Sequence, residues 1–143
     1  MSETRKIRIL IADDFKILRD VIRLHLERAK DMHVVGEARH LEDALKSAME
    51  LQPDVIVTND YLPPVDSAHA ADRFRKQGTL AAILAISMFP ERDLINRSFQ
   101  NGVNGFMYKD EIDEFLADAI RSVHRGERYL SPKAREIYGG MQE

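Results

Sequence analysis

Two carboxylates stand side by side at Asp13-Asp14, an amide and a third carboxylate at Asn59-Asp60, a hydroxyl at Ser87 and an ammonium at Lys109. Each group follows a short apolar run: Ile7 to Ala12, Val55 to Val57, Ala81 to Ile86 and Gly105 to Tyr108. Adjacent carboxylates are oxygen ligands suited to Mg²⁺, which prefers carboxylate, carbonyl and water to nitrogen or sulfur. By themselves they repel a bare phosphate. Each residue alone has an ordinary explanation. Aspartate at a strand-to-helix junction turns the chain and caps the helix, a strand-terminal serine bonds to nearby backbone, and a lysine at a strand end is solvated. Brought together, a carboxylate pair, a hydroxyl and an ammonium are the set needed to hold a metal-bound phosphoryl group.

For these groups to meet, the chain must place several strand ends on one rim. Ile7 to Ala12 reads as a buried strand stopped by the acid pair. Leu18, Val21, Ile22, Leu26 and Ala29 then recur at helical spacing. Met32 to Ala38 contains a second strand, and Leu41, Ala44, Leu45, Ala48 and Met49 a second helix that closes before Pro53. Val55 to Val57 is a third strand running into Asn59-Asp60. Pro63-Pro64 follows and can continue neither a helix nor a central ladder. Asp66 or Ser67 caps a helix carrying Ala70, Ala71 and Phe74, which Gly78 ends. Ala81 to Ser87 is almost wholly apolar, a strand buried on both faces. A fourth helix bears Leu94, Ile95 and Phe99, and Gly105 to Tyr108 is the fifth strand. The fifth helix carries Ile112, Phe115, Leu116, Ala119, Ile120 and Val123 on one stripe and meets a helix-ending Gly126.

Five strands alternating with five helices imply a doubly wound α/β fold, with a parallel sheet covered on both faces. Ligand sites of such sheets form at the carboxyl ends of the strands. The 143 residues make one domain, with 126–143 as a tail or linker. Zero cysteines exclude disulfides, thiolate metal sites and cysteine nucleophiles. No stretch approaches the roughly 18 apolar residues of a membrane span, and Met1 to Lys6 is polar, so a cytoplasmic protein without membrane contact is expected. A net charge of -3 offers no broad basic surface, so this segment is not expected to bind nucleic acid. The five histidines fall on different elements without metal-ligand spacing.

With these motifs in place, the chain resembles the receiver domains of two-component response regulators over roughly Arg5 to Tyr129. The resemblance rests on Ile9-Leu10-Ile11-Ala12-Asp13-Asp14, on Gln52-Pro53-Asp54 through Asn59 with Leu62-Pro63 after it, on Ile83 to Ser87, and on Gly105-Phe106 through Lys109-Asp110. Gly126-Glu127-Arg128-Tyr129-Leu130-Ser131-Pro132 is similar to the exit from the receiver in the branch fused to a helix-turn-helix DNA-binding domain.

The resemblance implies a (βα)5 flavodoxin-like receiver at residues 5–125. It also implies an output domain beyond the chain, through which transcription is regulated. It further implies phosphorelay signal transduction rather than enzymatic turnover. A sensor histidine kinase would pass a phosphoryl group to a residue after the third strand, with Mg²⁺ held by Asp13, Asp14 and the backbone carbonyl of Tyr61. Lys109 would pair with a phosphoryl oxygen, Ser87 would bond another, and the ring of Phe106 would turn inward as the aromatic switch. Homodimers are implied through the fourth helix, fifth strand and fifth helix, or through the first and fifth helices.

The position of the acceptor is occupied by Asn59. An amide is neither an anionic nucleophile nor a charged metal ligand, so no acyl phosphate is expected there and Mg²⁺ should bind more weakly. Asp60 is the alternative acceptor if the motif shifts by one residue. That shift needs an insertion after Pro53 and a deletion before Asp66, and strand alternation points Asp60 away from the pocket. Asn59 fits either a natural receiver that signals without phosphate or an acceptor Asp changed to block phosphorylation, and the kinase is a partner only where the natural residue is Asp. Asp66-Ser67, Pro64 and Met88 depart further from the family pattern. Two readings compete with a kinase-driven receiver: a stand-alone pseudo-receiver acting as an interaction module, and a flavodoxin-like cofactor-binding enzyme. The loop Ala12 to Lys16 holds carboxylates and no glycine, which opposes a pyrophosphate on the following helix.

Overall fold

The computed structural model describes residues 5–141. β1 (Ile7–Ala12) leads into α1 (Lys16–Glu27), and β2 (Met32–Ala38) into α2 (Leu41–Leu51). β3 (Val55–Asn59) is followed by a hairpin of two-residue strands, β4 (Tyr61–Leu62) and β5 (Val65–Asp66), and then by α3 (Ser67–Lys76). β6 (Ala82–Ser87), α4 (Arg92–Gln100), β7 (Gly105–Tyr108), α5 (Ile112–His124), β8 (Tyr129–Leu130) and α6 (Pro132–Met141) complete the order.

The main sheet runs β2-β1-β3-β6-β7-β8 with every pairing parallel. Strand alternation divides its side chains between two cores. Ile9, Ile11, Val55, Val57, Leu84, Ile86 and Met107 pack beneath α1 and α5. Leu10, Ala12, Ile56, Ile83, Ala85, Phe106 and Tyr108 pack beneath α2, α3 and α4. From β1 the chain moves outward to β2 and then back across to β3 on the other side. The strand order therefore reverses between β1 and β3, which opens a crevice at their carboxyl ends.

Local chemistry sets the element ends. Asp66 accepts the backbone N–H of His69 at 2.9 Å and caps α3. Gly78 and Gly126 take φ of 92° and 89° just past α3 and α5, a conformation that a Cβ disfavours.

The doubly wound α/β fold expected from the alternation is present, with one difference. Five strands are expected and the sheet has six. Tyr129 and Leu130 lie level with Gly105 and Phe106 and extend the sheet beyond β7. Ser131 then caps the last helix by accepting the N–H of Ala134 at 3.1 Å, and Pro132 occupies the first helical position, where its missing N–H is harmless. Ala134 is fully buried, and Tyr138 meets the Phe99 ring edge-on at 6.1 Å, with the Arg128 guanidinium 4.0 Å over Phe99. The stretch after Gly126 thus packs on α4 and β7. No helix among the described residues is long and apolar enough to cross a membrane.

Candidate functional site

Strand register brings the chemistry-bearing residues to one rim. Ala12 is level with Thr58, Asn59 with Ile86, and Ser87 with Tyr108. One residue further on, Asp13 comes level with Asn59, Asp60 with Ser87, and Lys109 with Met88. Alternation then divides them. Asp13, Asn59 and Lys109 continue the face covered by α1 and α5, while Asp60 and Ser87 continue the face beneath α3 and α4.

On the first face Asp13 is buried, and its Oδ1 accepts the N–H of Phe15 at 2.9 Å where α1 begins. Burial pushes its pKa up to about 6, against the pull of the Phe15 N–H and the Lys109 ammonium, while Asp14 pushes it further up. Oδ1 of Asp14 is buried without a hydrogen-bond partner. The Lys109 ammonium stands 5.8 Å from the Phe15 ring centroid. Beneath the pair Arg19, itself buried, donates from Nη1 to the Asp13 carbonyl at 2.8 Å and from Nε to Glu37 at 2.9 Å. Arg23 takes the other Glu37 oxygen at 2.7 Å. Desolvation raises the Glu37 pKa, but the two guanidiniums outweigh it and hold the carboxyl below the usual range.

This donor set fits a hard divalent cation, in reduced form. It offers two carboxylates, one of them with an orphaned oxygen, and no competing nitrogen or sulfur. Among the described residues no cluster of three His, Cys, Asp or Glu side chains is placed to hold a metal. Asn59 is buried, and its Oδ1 accepts the N–H of Asp60 at 2.8 Å.

On the second face Asp60 points away from Asn59, as alternation expects, and meets the rim residue Ser87 there. The Asp60 Oδ2 accepts the Ser87 hydroxyl at 3.0 Å and the Met88 N–H at 3.3 Å. Alternation places Asp60 opposite Asn59, as expected, but that opposite side is where Ser87 stands, so Asp60 belongs to the rim cluster. Phe106 is fully buried and meets the Tyr108 ring edge-on at 5.7 Å. Burial, then the charges of Glu111 and Glu91, push the Tyr108 phenol up to about 12, and its hydroxyl has no partner. Tyr61 is half exposed on β4, directly after Asp60.

Three contributors were not singled out by sequence reading. Arg19 supports the acid pair from α1, where the stripe Arg19, Ile22, Leu26 is the buried one; a charge in phase with apolar positions is the signal that marks it. Phe15 binds Asp13 through its N–H, and its ring stands 5.8 Å from the Lys109 ammonium. Glu111 accepts the N–H of Tyr108 at 3.0 Å and the N–H of Lys133 at 3.1 Å, joining the end of β7 to α6; nothing in its spacing marks it. Of the histidines, His25 links α1 to Asp113 of α5 at 3.0 Å.

Residues 9–121 match the family model of the response regulator receiver domain. The chain belongs to that family. As a receiver domain it is 33% identical over 128 residues to the uncharacterized transcriptional regulatory protein YvfU of Bacillus subtilis (strain 168), covering 89% of this chain and 64% of that protein. It is 32% identical over 127 residues to the oxygen regulatory protein NreC of Staphylococcus carnosus (strain TM300), covering 88% of this chain and 58% of that one. The chain thus spans about six-tenths of the length of these curated relatives. In three dimensions it resembles a LuxR-family two-component response regulator from Aurantimonas sp. SI85-9A1, with a TM-score of 0.90 at 28% identity, covering 96% of this chain and 98% of that chain. The signal receiver domain of the NarL response regulator of Mycobacterium tuberculosis superposes with a TM-score of 0.74 at 28% identity, covering 82% of this chain and 98% of that one. The relatives of this receiver domain are thus NarL- and NreC-type, LuxR-family response regulators.

Proposed function

We propose that this receiver domain switches an output without forming an acyl phosphate at residue 59, and that in a longer protein the output is transcriptional. The observation that carries this reading is Asn59 at the end of β3, one residue past the Ala12–Thr58 pair and so level with Asp13, where the family resemblance puts the acceptor. A neutral amide does not attack phosphorus, and it adds no charge to the acid pair. The greater length of the relatives, and the transcriptional role that one of them is named for, support an output domain beyond α6.

Asp13, Asp14 and the Tyr61 backbone carbonyl are the groups that would hold Mg²⁺, which supplies charge neutralisation for an incoming phosphate. The Lys109 ammonium is the protein's own donor for a phosphoryl oxygen, the Ser87 hydroxyl can join it only on leaving Asp60, and Phe106 takes the switch position. A histidine kinase enters as partner only with aspartate at residue 59. Incubation of the chain and of Asn59→Asp with Mg²⁺ and acetyl phosphate, followed by intact-mass measurement, tests this. Labelling of the variant alone is expected; labelling of the unaltered chain, at Asp60 or elsewhere on the rim, overturns the reading.

A second copy of the chain is proposed as a partner through α1 and α5. β8 and α6 pack against β7 and α4, so this chain's own segment occupies the sheet edge that the alternative interface would use. On α1 the stripe Ile17, Val21, Leu24 is exposed at 81%, 37% and 53%. Sedimentation equilibrium of Ile17→Glu should show weaker self-association than the unaltered chain. An unchanged monomer-dimer balance removes this interface.

A further inference from the structure

Asp60 is a buried carboxylate at the carboxyl rim, and the family pattern gives it no role. Five hydrogen bonds fix it. Its N–H donates to the Ile86 carbonyl at 3.0 Å and to Asn59 Oδ1 at 2.8 Å, and its carbonyl accepts the Ser67 N–H at 2.9 Å. Its Oδ2 takes the Ser87 hydroxyl and the Met88 N–H. The Ser87 Oγ also lies 3.2 Å from the Phe89 carbonyl, but a hydroxyl has one proton, and the carboxyl oxygen at shorter range claims it. The same Oγ then accepts the Phe89 N–H at 3.1 Å.

A hydroxyl and a backbone N–H converging on one oxygen at a strand end are the donors an oxyanion would take. Here the protein's own carboxylate takes both. A second anion would meet like charge and donors already engaged. The bonds also have a mechanical effect: Ser87, Met88 and Phe89 are tied in series to the end of β3, while the side chains of Met88 and Phe89 stand about 60% exposed on the connection to α4.

We propose that Asp60 is the resident anion of this site, occupying the donors of Ser87 and Met88 so that the connection from β6 to α4 stays in its anion-engaged arrangement without any phosphate. This inference rests on the proposed phosphate-independent switching and names the group that performs it. The surface it holds in place is the exposed apolar pair Met88-Phe89.

Amide hydrogen exchange of the full chain, read by mass spectrometry over Ser87 to Leu94, tests it. Asp60→Ala should raise exchange there by about tenfold, the loss of one to two hydrogen bonds to a charged acceptor, and Asp60→Asn by less, because an amide oxygen still accepts from Ser87. Millimolar inorganic phosphate should restore protection in Asp60→Ala and leave the unaltered chain unchanged. Exchange that is unchanged in Asp60→Ala overturns the proposal, as does phosphate acting equally on both proteins. If Asp60→Ala does not fold, the Asp60→Asn and Ser87→Ala double-mutant cycle decides: coupled effects on exchange support the clamp and additive ones reject it. Phosphoryl labelling of the unaltered chain defeats the proposed function, whereas unchanged exchange in an unlabelled chain defeats the clamp alone.

Discussion

Asp13 and Asp60 are the same residue type at the ends of neighbouring strands, yet the two faces of the rim treat them oppositely. On the α1 and α5 face Asp13 is buried beside a second carboxylate, its pKa rises to about 6, and Asp14 keeps a buried oxygen with no partner. On the other face Asp60 meets a hydroxyl and a backbone N–H. One face holds carboxylates that burial desolvates and leaves partly unpaired; the other matches a carboxylate with two donors. Poising a site for a ligand and completing it internally are thus distinguished by partners, not by residue identity.

The largest expected effect comes from making the first face more acidic. Asn59→Asp adds a third carboxylate level with Asp13, so Mg²⁺ affinity should rise by about tenfold or more as a charged ligand replaces an amide. Isothermal titration calorimetry of the two proteins measures this directly. Equal affinities would mean that residue 59 does not face the acid pair.

Next comes Asp13→Asn, which should stabilise the metal-free protein at pH 7.5. A carboxyl whose folded pKa lies above its unfolded value binds its proton more tightly when folded. Its contribution is therefore favourable at low pH, declines as pH rises from about 4 to about 6, and is lost above that. Removing the charge recovers about 2 to 3 kcal/mol at most. Urea unfolding should show the gain at pH 7.5 and little at pH 4, and Mg²⁺ should raise the midpoint of the unaltered chain but not of the variant.

The opposite sign is expected from Asp60→Ala, which leaves the Ser87 hydroxyl and the Met88 N–H without their acceptor. A loss of about 1 to 3 kcal/mol follows. Two aspartate substitutions on one rim, one stabilising and one destabilising, would establish the contrast; effects of equal sign would dissolve it.

The fold was legible wherever a period persisted over several residues. Ala82–Ser87 and the stripe of α5 show it: burial on one or both faces demands a long apolar pattern, and such a pattern has few other uses. β8 was illegible because two residues carry no period. The helix after it reads in sequence as a tail or linker, since Gly139-Gly140 dilute its stripe. Within the site, the acids, Asn59, Ser87 and Lys109 could be named because strand ends converge in parallel sheets. The bond between Asp60 and Ser87 could not, since it depends on which residues lie level across β3 and β6, a property of register rather than of either segment. Val21 shows a related limit. It fits the helical period, yet it is exposed, because the inward stripe of α1 runs through Arg19, Ile22 and Leu26 instead.

The smallest effect lies at the seam of the first face, where His25 fastens α1 to α5. Its Nδ1 is 2.9 Å from the Val21 carbonyl and its Nε2 is 3.0 Å from Asp113. Both partners are acceptors, so only the doubly protonated ring satisfies both. The Val21 carbonyl first, and then Asp113, raise the pKa above the ordinary 6.5. Stability from this link is present in full below the unfolded value and fades as pH rises through the folded one, a window above that of Asp13. Because Asp113 is largely exposed, the contribution should be about 0.3 to 1 kcal/mol. An NMR titration of the His25 ring should give a midpoint above 6.5 that falls in Asp113→Asn. A midpoint that does not move with Asp113 would leave the first face held together by its apolar core and its arginine-glutamate cluster alone.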